Sequence, residues 1–280
     1  MNPRQIVRGF TYRGAVAEPG AVRTRVRTVP LVGWPDLRQL VIAQAPQLSA
    51  PHAGGGGLCE VCHGPRCGGR PRCYNCDLHI QCGGDGLADV IVPVAFAVKG
   101  GQHARHLWQY KSAGLAAGAR AGPAAMLRAL LLVFLRDHGA CLWRAAGITG
   151  PTHLAVVPTA RGRPGVHPLR ELIDAYLALP WAELSARPGG VQVRDLDPDR
   201  FSVGPMPGAA VLLIDDTWTT GSSAQSAAMA LRRAGACSVV TVVLGRHVGL
   251  ADAAAAGIGP AAMPFRPGSC PVHDDHVANR

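Results

Sequence analysis

The stretch from Pro207 to Leu244 constrains the fold of this chain more than any other. Pro207-Gly208 reads as a turn, Ala210 to Ile214 as a strand apolar on both faces, Ser222 to Ala234 as a helix closed by Gly235, and Ser238 to Leu244 as a second apolar strand. Strands without polar alternation must be covered on both sides, and two of them joined through a helix pair in parallel. The unit predicts an α/β domain with a largely parallel, doubly wound sheet. Val90 to Val98 adds a strand whose Pro93 belongs at a sheet edge or strand end. A helix is expected from about Pro123 to His138, ended by Gly139, and a short strand from Thr152 to Val157. Val166, Leu169, Leu172, Ile173, Tyr176 and Leu177 recur at helical spacing and predict a helix that stops before Pro180. From Ala251 the chain is rich in Ala, Gly and Pro and reads as irregular.

In an open α/β sheet ligands bind beyond the carboxyl ends of the strands, where this strand delivers Asp215 and Asp216. Adjacent carboxylates need a positive or hydroxylated partner, and a ribose diol in the presence of Mg²⁺ is one. Thr217, Thr219, Thr220, Gly221, Ser222 and Ser223 follow. They bring hydroxyls, a glycine that lets amides turn inward, and a helix start, the makings of an anion site. A diol on one side and an anion on the other describe a ribose 5-phosphate. The plainer alternative is that Asp216 or Thr217 caps the helix while the hydroxyls decorate a turn. The apolar strand before and the hydroxyl-glycine run after favour the pocket. No Gly-x-x-x-x-Gly-Lys-Ser/Thr run is present, which disfavours a P-loop site.

Residues 58–83 are rich in cysteine and poor in apolar side chains, so they need a staple to fold. Cys59-x-x-Cys62 and Cys73-x-x-Cys76 supply four thiolates for a tetrahedral structural Zn²⁺ in a ribbon-like or knuckle-like module. Cys67, Cys82, His63 and His79 lie close in sequence and compete as ligands, and a single such pair would also suit redox chemistry. Cys141 and Cys237 read as buried small hydrophobes. Cys270, His273 and His276 form a further possible metal group without an evident fourth partner.

The segment from Val211 to Ser223 resembles the phosphoribosyl pyrophosphate (PRPP) motif of type I phosphoribosyltransferases. The resemblance implies that Asp215 and Asp216 hold the ribose hydroxyls. It implies that the run from Thr217 through Thr219, Thr220, Gly221, Ser222 and Ser223 wraps the 5-phosphate. A four-cysteine module ahead of such a domain resembles the ComF family, associated with DNA uptake in competent bacteria. His106 to Lys111 is similar to a segment of that family, and Val156 to Arg163 to its proline-arginine loop. That loop meets pyrophosphate in type I transferases, which implies the role for Arg161 and Arg163, with Lys111 as a further phosphate ligand. After the loop, Pro164-Gly165-Val166-His167-Pro168 stands where the family carries Arg-Gly-Phe-Asn-Gln. The implied activity is transfer of phosphoribosyl from Mg-PRPP to an unidentified nitrogen acceptor, with Asp215, Asp216 and Arg161 as catalytic residues. The alternative is a non-catalytic accessory module that senses PRPP or a nucleotide in DNA uptake or partner binding.

The boundaries expected are an arginine-rich extension with a glycine-rich linker over 1–57, the metal module over 58–83, the phosphoribosyltransferase-like domain over 84–250 and a tail over 251–280. The chain has 280 residues and a formal net charge of +10, which suits phosphates or nucleic acid although the basic residues are scattered. The apolar run Leu130 to Leu135 is bracketed by Arg128 and Arg136 and is too short for a membrane span. Arg4 and Arg8 precede no apolar leader segment, so a cytoplasmic location is expected. Nine cysteines in a reducing compartment point toward metal ligation rather than a disulfide framework.

Overall fold

The computed structural model describes residues 34–52, 57–66, 68–159, 165–187 and 194–272. In chain order the elements are α1 (Trp34–Gln44), α2 (Tyr74–Gly83), β1 (Val90–Val98), α3 (Gln102–Gln109), α4 (Ala117–Ala145), β2 (His153–Val156), α5 (Pro168–Ile173), β3 (Ser185–Ala186), β4 (Phe201–Ser202), β5 (Ala210–Trp218), α6 (Ser222–Arg233), β6 (Ser238–Val248) and α7 (Leu250–Ala255). Four strands form one parallel sheet in the order β1-β6-β5-β2, and β3 and β4 make a separate antiparallel pair.

Side chains of the central strands divide by parity, as a pleated strand requires. Leu212, Ile214, Val240, Val242 and Leu244 join Val92 and Val94 in one core with Leu127, Leu130 and Leu131 of α4 and Leu169 and Ile173 of α5. Val211, Leu213, Val239 and Val243 enter a second core with Ala224, Ala227, Ala228 and Leu231 of α6, and with Cys59, Cys62 and Cys76. Both faces of the sheet are therefore covered, which is why its strands read as unbroken apolar runs. Pro93 lies on the edge strand β1, opposite Val243 of β6, the strand's one neighbour in the sheet among the described residues.

Several elements differ in extent from their sequence signals. The helix expected to end at His138 runs on to Ala145 through Gly139, and starts early enough to enclose Pro123. A mid-helix glycine costs about 1 kcal/mol relative to alanine. Burial of Leu142 and Trp143 beyond it offsets that, at roughly 1.5–3 kcal/mol for each large apolar side chain. α4 has the length and apolar content of a membrane-spanning helix, yet much of its apolar surface is packed against the sheet. β5 continues through the two aspartates because Asp215 and Thr217 stay paired with Val243 and Gly245 of β6. α5 is short, begins at Pro168 with the His167 ring accepting the Leu169 N–H, and leaves Val166 exposed before it. The region after residue 250, expected to be irregular, opens with α7.

The stretch ahead of the cysteines shows no clear period, but it forms α1 and packs on α4. Val41 is fully buried there, and Arg38 pairs with Asp137 at 2.7 Å. Leu48 and Ala50 enter the same core, and the Ser49 carbonyl accepts the Phe96 N–H at 2.7 Å along the outer edge of β1.

Candidate functional site

The acidic pair lies near the end of β5, two residues before the strand ends at Trp218, toward the carboxyl edge of the sheet. Asp216 is buried, and its Oδ2 accepts hydrogen bonds from the Tyr110 hydroxyl and from Lys111 Nζ, each at 2.6 Å. Asp215 Oδ1 accepts the backbone N–H of Asp216 at 2.8 Å. Burial, and then the charge of Asp216, push the Asp215 carboxyl up to about 7, although Lys111 and the amides of Asp216 and Thr217 pull the other way. Burial thus disfavours the charged form of Asp215, and a cation or hydroxyl donor placed beside it would favour that form.

α3 holds Tyr110 and Lys111 on Asp216, and a glycine in the sheet permits it. A Cβ on Gly245 would lie 2.3 Å from Leu107 Cδ1 and 3.0 Å from Ala97 Cβ, so a bare backbone lets α3 settle onto β6. His103 anchors the same helix. Its ring lies 2.9 Å from the Leu244 carbonyl at Nε2, and burial pulls its pKa down to about 4, which keeps the imidazole neutral with Nε2–H donating.

The loop after β5 folds around Trp218, which is almost fully buried. Gly221 has φ +88°, and a Cβ there would lie 2.0 Å from the Trp218 ring. Glycine is required on both counts. Among the described residues, the amides of Thr219, Thr220 and Gly221 have no backbone acceptor, and α6 starts directly after them. The hydroxyls that the sequence groups together do not all face one place, although Thr220 Oγ1 and Ser222 Oγ lie 3.0 Å apart in a hydrogen bond. Thr217 lines the open cleft and Thr219 is exposed. Ser222 is buried, donates to the Arg194 carbonyl and lies 3.4 Å from His79 Nε2. Ser223 Oγ accepts from the buried Arg200 at 3.1 Å.

Beyond the ends of β1, β6 and β5 lies an open cleft of about 480 Å³. Lys99, Arg105, Lys111 and His247 line it together with Trp108 and Thr217, and no carboxylate does among the described residues. Burial, Arg246 and Lys99 lower the His247 pKa. The three permanent cations, Lys99, Arg105 and Lys111, suit a polyanion. Lys111 and Thr217 are legible as site residues in the sequence, whereas Lys99, Arg105 and His247 were missed. Lys99 directly follows β1 and His247 lies near the end of β6, so a basic residue closing an apolar strand was the available signal. Arg161 and Arg163 lie outside the described residues, as do Cys67, His273 and His276.

Cys59, Cys62, Cys73 and Cys76 converge, with all four sulfur atoms within 4.8 Å of one another and Cys62 and Cys73 3.8 Å apart. An ion about 2.3 Å from each of four tetrahedral sulfurs needs them ~3.8 Å apart. The first pair is carried on a knuckle: the Cys59 N–H donates to the Gly64 carbonyl at 2.8 Å, the His63 N–H donates to the Cys59 carbonyl at 2.9 Å, and His63 takes φ 52°. The second pair is placed by α2, with Cys73 at its N-cap and Cys76 in its first turn. Hydrogen bonds from Cys62, Cys73 and Cys76 pull the Cys59 thiol down in pKa, and the bond with Cys59 pushes Cys76 up. Four thiols sharing protons in this way can instead hold a structural metal such as zinc. His63 and His79 are not in the cluster, and Cys82 is exposed.

Arg246 joins this module to the loop. Its buried guanidinium donates from Nη1 to the carbonyls of Trp218 and Thr219 at 3.1 Å and of His247 at 2.7 Å. A Cβ on Gly64 would come within 2.3 Å of the same guanidinium. The bonds with Cys59 and Cys73 push the Cys62 thiol up in pKa, and the positive charge of Arg246 opposes them. His79 of α2, against Ser222, is a second bridge. No family model matches this chain, and no curated protein matches it.

Proposed function

We propose that this protein binds Mg-PRPP, or a ribose 5-phosphate ligand of that kind, in a type I phosphoribosyltransferase-like domain of the ComF type, and transfers phosphoribosyl to a nitrogen acceptor. The observation that carries the reading is the acidic pair near the end of β5, followed after Thr217 and Trp218 by the amides of Thr219 to Gly221, which have no backbone acceptor among the described residues, and flanked by the cationic cleft. In this reading Asp215 and Asp216 accept hydrogen bonds from the ribose hydroxyls, with Asp216 oriented by Tyr110 and Lys111. The loop amides and the start of α6 receive the 5-phosphate. Lys99, Arg105, Lys111 and His247, with Arg161 and Arg163, meet the pyrophosphate. Mg²⁺ would supply charge neutralisation of that leaving group, and the two adjacent carboxyl groups of Asp215 and Asp216 are compatible with a cation nearby. The C1–O bond breaks with its electron pair leaving on pyrophosphate, the acceptor nitrogen donates its lone pair to C1, and its proton is released. Asp215, Asp216 and Arg161 act at the reacting ribose and leaving group.

Calorimetry with Mg-PRPP on the wild type and on Asp216→Asn tests the pocket. Binding by the wild type and a loss of at least about tenfold in the variant are expected, roughly the weight of one charge-assisted contact. Equal binding by the two, or none by either, removes the ribose-phosphate reading. Pyrophosphate release assayed across the common bases then tests transfer. The second reading, a non-catalytic module sensing PRPP or a nucleotide, is favoured by the cysteine module seated against the loop and by the net charge of +10, which suits nucleic acid. Binding without pyrophosphate release from any base would select it.

A further inference from the structure

Away from this cleft, a second set of metal-ligating side chains converges where the C-terminal tail crosses α4. His138 and Cys141 stand three residues apart on α4, a spacing that brings two side chains to one helix face. Cys270 reaches them from the tail, and the ligand atoms of the three residues all lie within 4.8 Å of one another. His138 and Cys270 are buried and Cys141 is half-buried. Nε2 of His138 lies 2.8 Å from the Pro267 carbonyl. A ring that donates Nε2–H to that carbonyl keeps its lone pair on Nδ1, and a backbone anchor on the remote nitrogen is how metal-ligating histidines are usually oriented.

The tail is also held through its backbone. Among the described residues its backbone ties from Pro264 to Val272 include a bridge from Pro264 to Ser49, the Phe265 N–H to the Leu48 carbonyl at 3.2 Å and the Ser269 N–H to the Arg266 carbonyl at 2.9 Å, and Cys270 itself sits in a β-bridge. Two sulfurs and an imidazole, with no carboxylate among them, select a thiophilic ion. The geometry points to a second metal site, in which a zinc-class ion held by His138, Cys141 and Cys270, with its fourth position open to water, staples the C-terminal tail to α4. Both thiols release their protons to solvent on binding and the ion keeps its charge, so no oxidant or reductant is consumed. The site stands apart from the Cys59, Cys62, Cys73 and Cys76 cluster, and it does not depend on the reading of the cleft.

Elemental analysis of the full chain, purified reduced in the presence of zinc, tests it. About two zinc ions per chain are expected, falling to about one in Cys141→Ser, in Cys270→Ser and in the Cys59→Ser/Cys73→Ser double variant. Cys270 is buried, so if its variant does not fold the half-buried Cys141 carries the comparison. Cobalt substitution gives an independent reading: thiolate-to-cobalt absorption should weaken in Cys141→Ser and persist, reduced, in the double variant. Unchanged zinc content in Cys141→Ser, or complete loss of zinc from the double variant, overturns the site. A bond between Cys141 and Cys270 in the unreduced chain, with zinc content unaffected by either substitution, assigns the pair to a disulfide and overturns it equally.

Discussion

A carboxyl group packed beside Asp216 at the end of a buried strand keeps its proton to higher pH than one in water, and Asp215 is pushed up to about 7. In the unfolded chain an aspartate titrates near ~3.9. Between these values the folded protein holds a proton that the unfolded chain has lost, so this group makes stability fall as pH rises from about 4 to about 7, with no further change above. His103, drawn down to about 4 by burial, slopes the opposite way below its ordinary range. The difference between wild type and Asp215→Asn isolates the aspartate: chemical denaturation of the ligand-free protein should show the variant gaining on the wild type across that interval. Parallel curves would show that the Asp215 pKa is not raised. Gly221→Ala places a Cβ on the Trp218 ring at φ +88°. Backbone strain alone costs roughly 1–3 kcal/mol, to which displacement of the indole adds. A lower midpoint in urea, together with loss of PRPP binding, is expected, whereas Gly208→Ala, whose Cβ would meet nothing within 4 Å, should cost only the strain.

Gly245 decides how close α3 comes to the sheet, and the site inherits that distance. Gly245→Ala should lower the melting temperature and weaken PRPP binding, because the new methyl pushes on Leu107 and so shifts Tyr110 and Lys111 from Asp216. Leu107→Ala leaves a cavity expected to cost about 2–5 kcal/mol. The double variant should recover part of both losses, since the two methyl-scale changes occupy one space, and strict additivity would refute the packing argument. At this scale β5, α6 and β6 were legible because unbroken apolar runs are punctuated by glycine. The ends of α4 were not, since Gly139 and Pro123 are local breakers overridden by Leu142, Trp143 and the rest of a long buried stripe. α1 gave no signal because Val41 is its one buried apolar side chain among those described, too few to mark a period. The acid pair and the four cysteines were readable from spacing, because local motifs hold them. Tyr110 and Lys111 on Asp216, and Cys141 beside Cys270, join segments far apart in sequence, and no local pattern encodes such meetings. Cys141, read from its apolar neighbours as a core residue, is only half-buried, and Cys237, read the same way, is exposed.

Across the whole molecule the cysteine module is seated on the α6 side of the sheet, against the underside of the loop that the acid pair opens. Arg246 ties that loop and abuts Gly64, and its loss should be felt in both places. Arg246→Met is expected to raise hydrogen exchange at Thr219 to Gly221 and to weaken metal retention by the four thiols, while the sheet amides of β6 stay protected. Equal exchange in wild type and variant would show the arginine to be filler. A buried side chain that touches the backing of two sites has one more consequence. Coupling between two binding events is a single free energy, so it acts with the same magnitude in either direction. By whatever factor a filled cysteine cluster tightens the hold on a ribose 5-phosphate, that ligand must tighten the hold on the metal. Chelator titrations with and without PRPP should therefore differ by the factor that separates PRPP affinities measured on metal-loaded and metal-stripped protein.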